Sequence, residues 1–154
     1  MKTGITDDFQ SGQKTAKKAC AILVAKEAGF IVPTARQKAN LLVAFAKGGK
    51  VVYGRAFDIV KLSTSVNLDN LADVEKNLKD LVVMEIKSTR KKLKSDFSGF
   101  FFGLSGAEVL VAQSLKKQFR FAFVNTTTGE HIELTLAEMF AKAKGIYSTW
   151  SISF

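Results

Sequence analysis

Two acidic residues and a lysine stand in stretches of the chain that are otherwise apolar. Glu85 and Lys87 interrupt the run 81–88 (LVVMEIKS), and Asp58 stands in a second strand-like run, 51–60 (VVYGRAFDIV). Side chains alternate along a β-strand, so Glu85 and Lys87 are expected on the same face. Charged groups on a buried strand are costly unless they pair or bind something. If the two runs are neighbours in a sheet, two carboxylates and an ammonium meet at one place, which predicts a divalent-metal site with a lysine beside it.

This set of groups suits phosphodiester hydrolysis. The reaction needs a nucleophilic water, relief of charge on the phosphoryl oxygens and a stabilised leaving oxygen. Mg²⁺ can supply all three, and it prefers oxygen ligands from one or two carboxylates together with water and phosphate. A lysine next to the metal can orient the water, help to deprotonate it and stabilise the transition state.

Composition places the chain among ordinary globular proteins. It has 154 residues, 47% of them hydrophobic, and a mean hydropathy of +0.09, so we expect one domain spanning residues 1–154. No apolar run reaches the roughly 20 residues of a membrane helix, and the N-terminus has no apolar signal-peptide core. We therefore expect a cytoplasmic protein without a membrane partner. The sequence contains one cysteine and one histidine, which excludes an internal disulfide and a Cys/His zinc cluster.

The net charge indicates a polyanionic partner. The chain carries 23 Lys and Arg against 14 Asp and Glu, a formal charge of +9, and such an excess favours nucleic acid. The alternative is a solvated surface that keeps the protein soluble. The basic residues cluster after the Glu-x-Lys run, and this placement favours phosphate binding. The candidate DNA contacts are Arg90, Lys91, Lys92, Lys94, Lys116 and Lys117.

Periodicity predicts the elements that must position these residues. A helical pattern covers 13–28, and residues 34–47 are ambiguous between a helix capped by Thr34 and a buried strand, which we prefer. Residues 61–79 form a polar insertion that contains a short helix. Capping boxes begin two later helices at Ser105 and Thr135. The predicted strands are 30–32, the preferred 34–47, the Asp58 run, 81–88, 119–125, its hairpin partner 131–134 and the tail 147–154.

Together, these residues and this order resemble the PD-(D/E)xK nuclease superfamily, which includes many type II restriction endonucleases and Holliday junction resolvases. The resemblance covers Ala56-Phe57-Asp58, the stretch 82–89 (VVMEIKST) and the element order across about 13–125. The chain departs from the family in having Phe57 where a proline precedes the aspartate, and the 61–79 insertion lengthens the gap between the two acids.

The resemblance implies an α/β fold with a restriction-endonuclease-like core. This is a mixed central sheet flanked by helices, in the order α-β-β-β-α-β with a C-terminal hairpin and helix. It also implies that Asp58 and Glu85 bind Mg²⁺ with the Ile86 carbonyl, that Mn²⁺ substitutes, and that Lys87 is the catalytic lysine. Glu27 on the first helix and Gln113 on the helix after the lysine strand match two further family positions.

Each assignment has a plainer alternative. Glu85 and Lys87 suit an exposed pair on a half-solvated strand. Asp58 could end its strand at a turn, leaving Asp73 or Asp80 as the second acid. Three further residues have structural alternatives: Glu27 could pair with a lysine, Gln113 could be helix surface, and Glu108 is explained as the partner in a capping box.

The expected function is therefore Mg²⁺-dependent DNA cleavage, with restriction as the preferred role. One such site cuts one strand, so cleavage of both strands predicts a two-fold homodimer. No small-molecule cofactor is expected, since Gly103-x-x-Gly106 does not fit a nucleotide loop. The rival functions are a Holliday junction resolvase and a non-cleaving nucleic-acid-binding module with the same fold.

Overall fold

A five-stranded mixed sheet organises the fold. The structure is a computed structural model that describes residues 5–148 and 152–154, with side chains from residue 14. The strands lie in the sheet in chain order, and neighbours are antiparallel except for the central parallel pair of the third and fourth strands. They are β1 (Phe30–Ile31), β2 (Ile59–Leu62), β3 (Leu81–Thr89), β4 (Phe119–Asn125) and β5 (His131–Leu134).

Helices flank this open sheet, which confirms the predicted α/β class. Three short 3₁₀ turns, 54–56, 78–80 and 116–118, lead into β2, β3 and β4 respectively. The helices are α1 (Ile5–Lys26), α2 (Ala35–Lys47), α3 (Leu71–Lys76), α4 (Gly106–Leu115) and α5 (Leu136–Lys142).

The two faces of the sheet bury two separate apolar clusters. On one face, called the α1 face below, Met84 and Ile86 of β3 pack with Leu23 of α1. On the other, called the α4 face, Val83 of β3 packs with side chains of α2, α4 and α5, among them Phe45. Since side chains alternate along β3, Glu85 and Lys87 lie on the α4 face with Val83.

The two central strands carry apolar side chains on both faces. Six of the seven residues of β4 are buried, including Phe121, as expected for strands covered by helices on both sides. The predicted strands at 81–88, 119–125 and 131–134 are therefore confirmed, as are the helices that begin after Ser105 and Thr135.

Residues 35–47 form a helix, so the preferred strand interpretation was wrong. Thr34 and Gln37 form a capping box at its start, and Gly48 is its C-cap. The apolar run in this segment suggested a buried strand. In the helix Leu41 and Phe45 are buried whereas Val43 between them is 44% exposed, which is the helical pattern.

The strand predicted around Asp58 is shorter than expected. Only Ile59–Leu62 pair as β2, and the chain before them makes the 3₁₀ turn Gly54–Ala56. Tyr53 is 45% exposed, which a covered strand would not allow. The predicted tail strand is not found at 147–148 or 152–154, and its remaining residues lie outside the described part of the chain. Within that part, no helix combines the length and apolar content that crossing a membrane requires.

Replacing Thr34 with alanine tests the corrected helix. Thr34 Oγ1 accepts a hydrogen bond from the Gln37 amide at 3.2 Å, and losing an N-cap costs about 1 kcal/mol. We expect Thr34→Ala to lower the free energy of unfolding by about that amount in urea titrations. The control Thr64→Ala, at an exposed threonine after β2, should cost less than about 0.5 kcal/mol. Equal losses in the two variants would contradict the capping role.

Candidate active site

Asp58 and Glu85 lie beside each other at the start of β2. Ile59 pairs with Met84 in the antiparallel ladder, so the preceding residue, Asp58, stands opposite Glu85. The Asp58 amide donates to the Met84 carbonyl at 2.8 Å, and Asp58 Oδ2 accepts from the Ile86 amide at 3.0 Å. The carboxylate of Asp58 is thus fixed against the backbone of β3, between the positions of Glu85 and Lys87.

Lys87 lies between two glutamates on the α4 face. Its Nζ is 3.4 Å from Glu85 Oε1 and 3.0 Å from Glu108 Oε2. The three side chains are only 13%, 13% and 10% exposed for Lys87, Glu85 and Glu108 respectively. Charges removed from water to this degree interact strongly and need close partners. The predicted convergence of Asp58, Glu85 and Lys87 is therefore present, with Glu108 as an additional member.

The negative charge of this cluster exceeds what Lys87 can neutralise. The pKa of Glu85 is raised from 4.5 to about 9, mainly by burial and next by the neighbouring Asp58 carboxylate, while Lys87 opposes the shift. Carboxylate oxygens are the ligands that Mg²⁺ prefers in proteins, and a cation between two carboxylates removes their repulsion. The donor set of Asp58 and Glu85 therefore fits Mg²⁺.

Cys20 of α1 lies behind this cluster and is chemically quiet. Its thiol is buried, and its pKa is raised to about 11, first by burial and then by the charges of Asp58 and Glu85. A thiol with a raised pKa carries almost no thiolate at neutral pH. Cys20 is thus a packing residue.

Lys38 of α2 braces the turn that leads to Asp58. Its Nζ donates to the Gly54 carbonyl at 2.7 Å and to the Phe57 carbonyl at 2.8 Å. The ammonium also lies 4.7 Å from the centre of the Phe57 ring. These contacts fix the backbone immediately before Asp58.

Glu27 is not part of this cluster. It extends from the end of α1 to Lys61, with 3.3 Å between the charged atoms. Lys61 alternates with Val60, which packs on the α4 face, so Glu27 lies across the sheet from Glu85. The structure therefore shows the lysine pairing that was the alternative interpretation of Glu27.

Glu27 belongs instead to a second charged cluster, on the α1 face. The donor atoms of Glu27, His131 and Glu133 lie within 4.8 Å of one another, close enough to hold a metal ion. However, Lys61 Nζ already lies 2.9 Å from Glu133. Lys26 Nζ lies 3.3 Å from His131 Nδ1, and an ammonium can only donate, which leaves the ring proton on Nε2 facing the carboxylates. An ion-pair network accounts for this cluster without a metal.

Gln113 and the two groups of basic residues lie in different parts of the fold. Gln113 is exposed on α4, which is the helix-surface alternative. Residues 90–94 directly follow the site strand, and their basic side chains Arg90, Lys91, Lys92 and Lys94 are exposed. Lys116 and Lys117 precede Phe119, which pairs with Val83, so they lie towards the N-terminal end of β3, whereas residues 90–94 follow its C-terminal end.

The backbone of this basic segment is held in place. Asn125 Nδ2 donates to the Lys91 carbonyl at 3.0 Å, and Thr127 Oγ1 donates to the Arg90 carbonyl at 3.1 Å. The Thr126 amide donates to the Thr89 carbonyl at 2.9 Å. Three consecutive carbonyls are thus fixed by the β4–β5 turn, while the cationic side chains point to solvent.

Glu108 and Lys38 were not among the residues that the sequence predicted. The Ser105-x-x-Glu108 pattern correctly identified a capping box, but capping explained Glu108 without the contact to Lys87. The order of elements offered a signal for this contact, because α4, which carries Glu108, follows β3, which carries Lys87, in the chain. Lys38 could not be found while its segment was interpreted as a strand.

Comparison with known proteins assigns no function, so the functional assignment has to be based on the geometry of the site. No protein-family model, curated protein or solved structure matches this chain. The functional assignment therefore depends on the cluster of Asp58, Glu85, Lys87 and Glu108, which is called the carboxylate–lysine cluster below.

Substitution of Glu85 by glutamine should remove a pH dependence of stability. Because the pKa of Glu85 is raised from 4.5 to about 9, the folded state keeps a proton that the unfolded state releases above 4.5. The stability of the metal-free protein should then fall as the pH rises from about 5 to 9. Glu85→Gln has no proton to lose, so its unfolding free energy should decline less over this range.

The matched control is Glu75→Gln, which alters an exposed pair with Lys47. This variant should keep the wild-type slope in urea titrations at several pH values with EDTA present. Parallel curves for wild type and Glu85→Gln would contradict the raised pKa.

Proposed function

We propose that this protein is a Mg²⁺-dependent DNA endonuclease, of the type II restriction endonuclease kind. The observation that carries this proposal is the carboxylate–lysine cluster, in which two adjacent strands place Asp58 beside Glu85 with Lys87 on the same face. Neighbouring carboxylates on adjacent strands, with one lysine between Glu85 and Glu108, are the arrangement in which perturbed titratable groups mark a functional site.

The residues of the cluster have distinct tasks in this reaction. A bound Mg²⁺ would polarise the phosphoryl group and lower the pKa of a water. Asp58 uses Oδ2 to accept from the Ile86 amide, so Oδ1 is its free ligand atom. Glu85 supplies the second carboxylate, and the Ile86 carbonyl is the third proposed ligand. Lys87 orients the attacking water and stabilises negative charge on the phosphoryl oxygens.

The arrangement of elements supports a restriction-endonuclease-like core. When α2 and α3 are set aside, the chain runs α1, β1, β2, β3, α4, β4, which is the helix, strand, strand, strand, helix, strand order of the resembling family. The β4–β5 hairpin and α5 follow, as that interpretation expects. The inserted helices lengthen the path from α1 to β3 without changing the order of the strands.

Charge supports DNA as the substrate. The exposed basic segment 90–94 follows the site strand directly, so a phosphate backbone lying over the cluster would meet it. A two-fold homodimer would bring two sites to the two strands of a duplex. The exposed lysines of the segment supply the sequence-independent part of the binding.

Plasmid cleavage tests the proposal. Purified wild type should nick or cut plasmid DNA with Mg²⁺ or Mn²⁺, and EDTA should stop the reaction. Asp58→Asn, Glu85→Gln and Lys87→Ala should each lower the cleavage rate by roughly a hundredfold or more, since each removes a ligand or a catalytic charge. DNA binding in gel shifts should change less than about threefold, because the phosphate contacts remain.

Glu75→Gln is the matched control and should cleave at the wild-type rate. Binding without cleavage under either metal ion would contradict the nuclease and favour a non-cleaving module. Preferential cutting of four-way junctions over linear duplex would favour a resolvase instead.

The position of the basic segment predicts unequal effects for two lysine pairs. Lys91→Ala/Lys92→Ala should weaken DNA binding, and the slope of log affinity against log salt should fall by roughly 2, one phosphate contact per lysine. Lys116→Ala/Lys117→Ala removes the same charge from the opposite end of β3, away from the segment 90–94 that the proposal places under the phosphate backbone, and should have a smaller effect. Salt titrations by fluorescence anisotropy measure both slopes. Equal slopes in the two variants would place the DNA elsewhere.

A further inference from the structure

Lys87 is held more closely by Glu108 than by its neighbour Glu85. The Nζ to carboxylate distances are 3.0 Å and 3.4 Å respectively. Glu108 comes from α4 on the helix layer above the sheet, so the contact joins two layers of the fold. A buried ammonium that pairs with a fixed carboxylate in another layer of the fold is held in one position.

Glu108 is itself held by the start of α4. Its Oε2 accepts from the Ser105 amide at 3.1 Å, and its own amide donates to Ser105 Oγ at 3.1 Å. Val111 and Leu115 further along α4 are buried in the core. The carboxylate that receives Lys87 is therefore attached to a packed helix through a closed hydrogen-bonded ring.

Capping alone does not require Glu108 to be buried. Glu138 makes the same box with Thr135 at the start of α5, and Glu138 is exposed whereas Glu108 is 7% exposed. The two boxes thus share their capping chemistry and differ in burial and in the contact with Lys87. This difference points to a task for Glu108 beyond the helix end.

We propose that Glu108 is the positioning residue for Lys87, fixing its ammonium at the phosphoryl group while the metal ion is held by Asp58 and Glu85. This inference rests on the proposed nuclease function. A cation bound by Glu85 repels the nearby ammonium of Lys87 and weakens its attraction to that carboxylate. Glu108 remains as the anchor that keeps Lys87 beside the reacting atoms.

Glu108→Gln is the informative variant, because glutamine also serves as the third residue of a capping box. It retains the cap and removes only the charge that Lys87 contacts. Glu138→Gln makes the same change in the exposed box and is the matched control. Lys87→Met and the double variant Lys87→Met/Glu108→Gln complete a double-mutant cycle.

Cleavage kinetics should separate positioning from folding. We expect Glu108→Gln to lower kcat roughly tenfold to a hundredfold and to change KM for DNA by less than about threefold, since Glu108 touches Lys87 rather than the substrate. In the Lys87→Met background the same substitution should change kcat by less than about twofold. Glu138→Gln should leave kcat and KM at wild-type values.

Two kinetic results would overturn the proposal. An unchanged kcat in Glu108→Gln would show that Lys87 needs no anchor. An equal loss of kcat with and without Lys87 would show that Glu108 acts independently of it.

NMR of the lysine side chains gives a readout that does not depend on cleavage. In protein with ¹³C,¹⁵N-labelled lysine, the signal lost in Lys87→Met identifies Lys87. This signal should shift in Glu108→Gln and stay in place in Glu138→Gln. An unshifted signal would overturn the Glu108–Lys87 contact. A shifted signal in a protein that never cleaves DNA would support the contact and refute the nuclease function.

Discussion

The repulsion between two neighbouring carboxylates is the constraint on which the site depends. Asp58 and Glu85 stand opposite each other on antiparallel strands, so the register of the two strands keeps both residues at the same place in the sheet. Two other features of the cluster moderate this repulsion. The Ile86 amide donates to the carboxylate of Asp58, and Lys87 lies beside the carboxylate of Glu85.

The sheet keeps two charged clusters apart. The carboxylate–lysine cluster lies on the α4 face, and the network of Glu27, His131, Glu133 and Lys61 lies on the α1 face. In each cluster one lysine is shared by two glutamates, Lys61 in the second and Lys87 in the first, and in the second Arg120 also contacts Glu133. The difference between the two is the balance of charge.

The sequence predicted the central strands and the acid–lysine face because local pattern determines both. The alternation of Glu85 and Lys87 with Met84 and Ile86 is a property of any strand, and the two capping boxes are local signals too. The strand prediction that rested on the apolar run 41–45 was wrong, because a short apolar stretch fits a strand and a helix equally well. Glu27 and Glu108 could not be placed, because the face of the sheet that each helix covers is decided by tertiary packing.

The outer strands of the sheet limit how two copies of the protein could associate. One edge, β1, pairs over only two residues and is followed at once by Val32 and Pro33, and the other edge, β5, has four residues. Short edges and a proline offer few free backbone groups to a partner strand. Extension of the sheet from one subunit into the next is thereby disfavoured, and a dimer has to form through helices or loops instead.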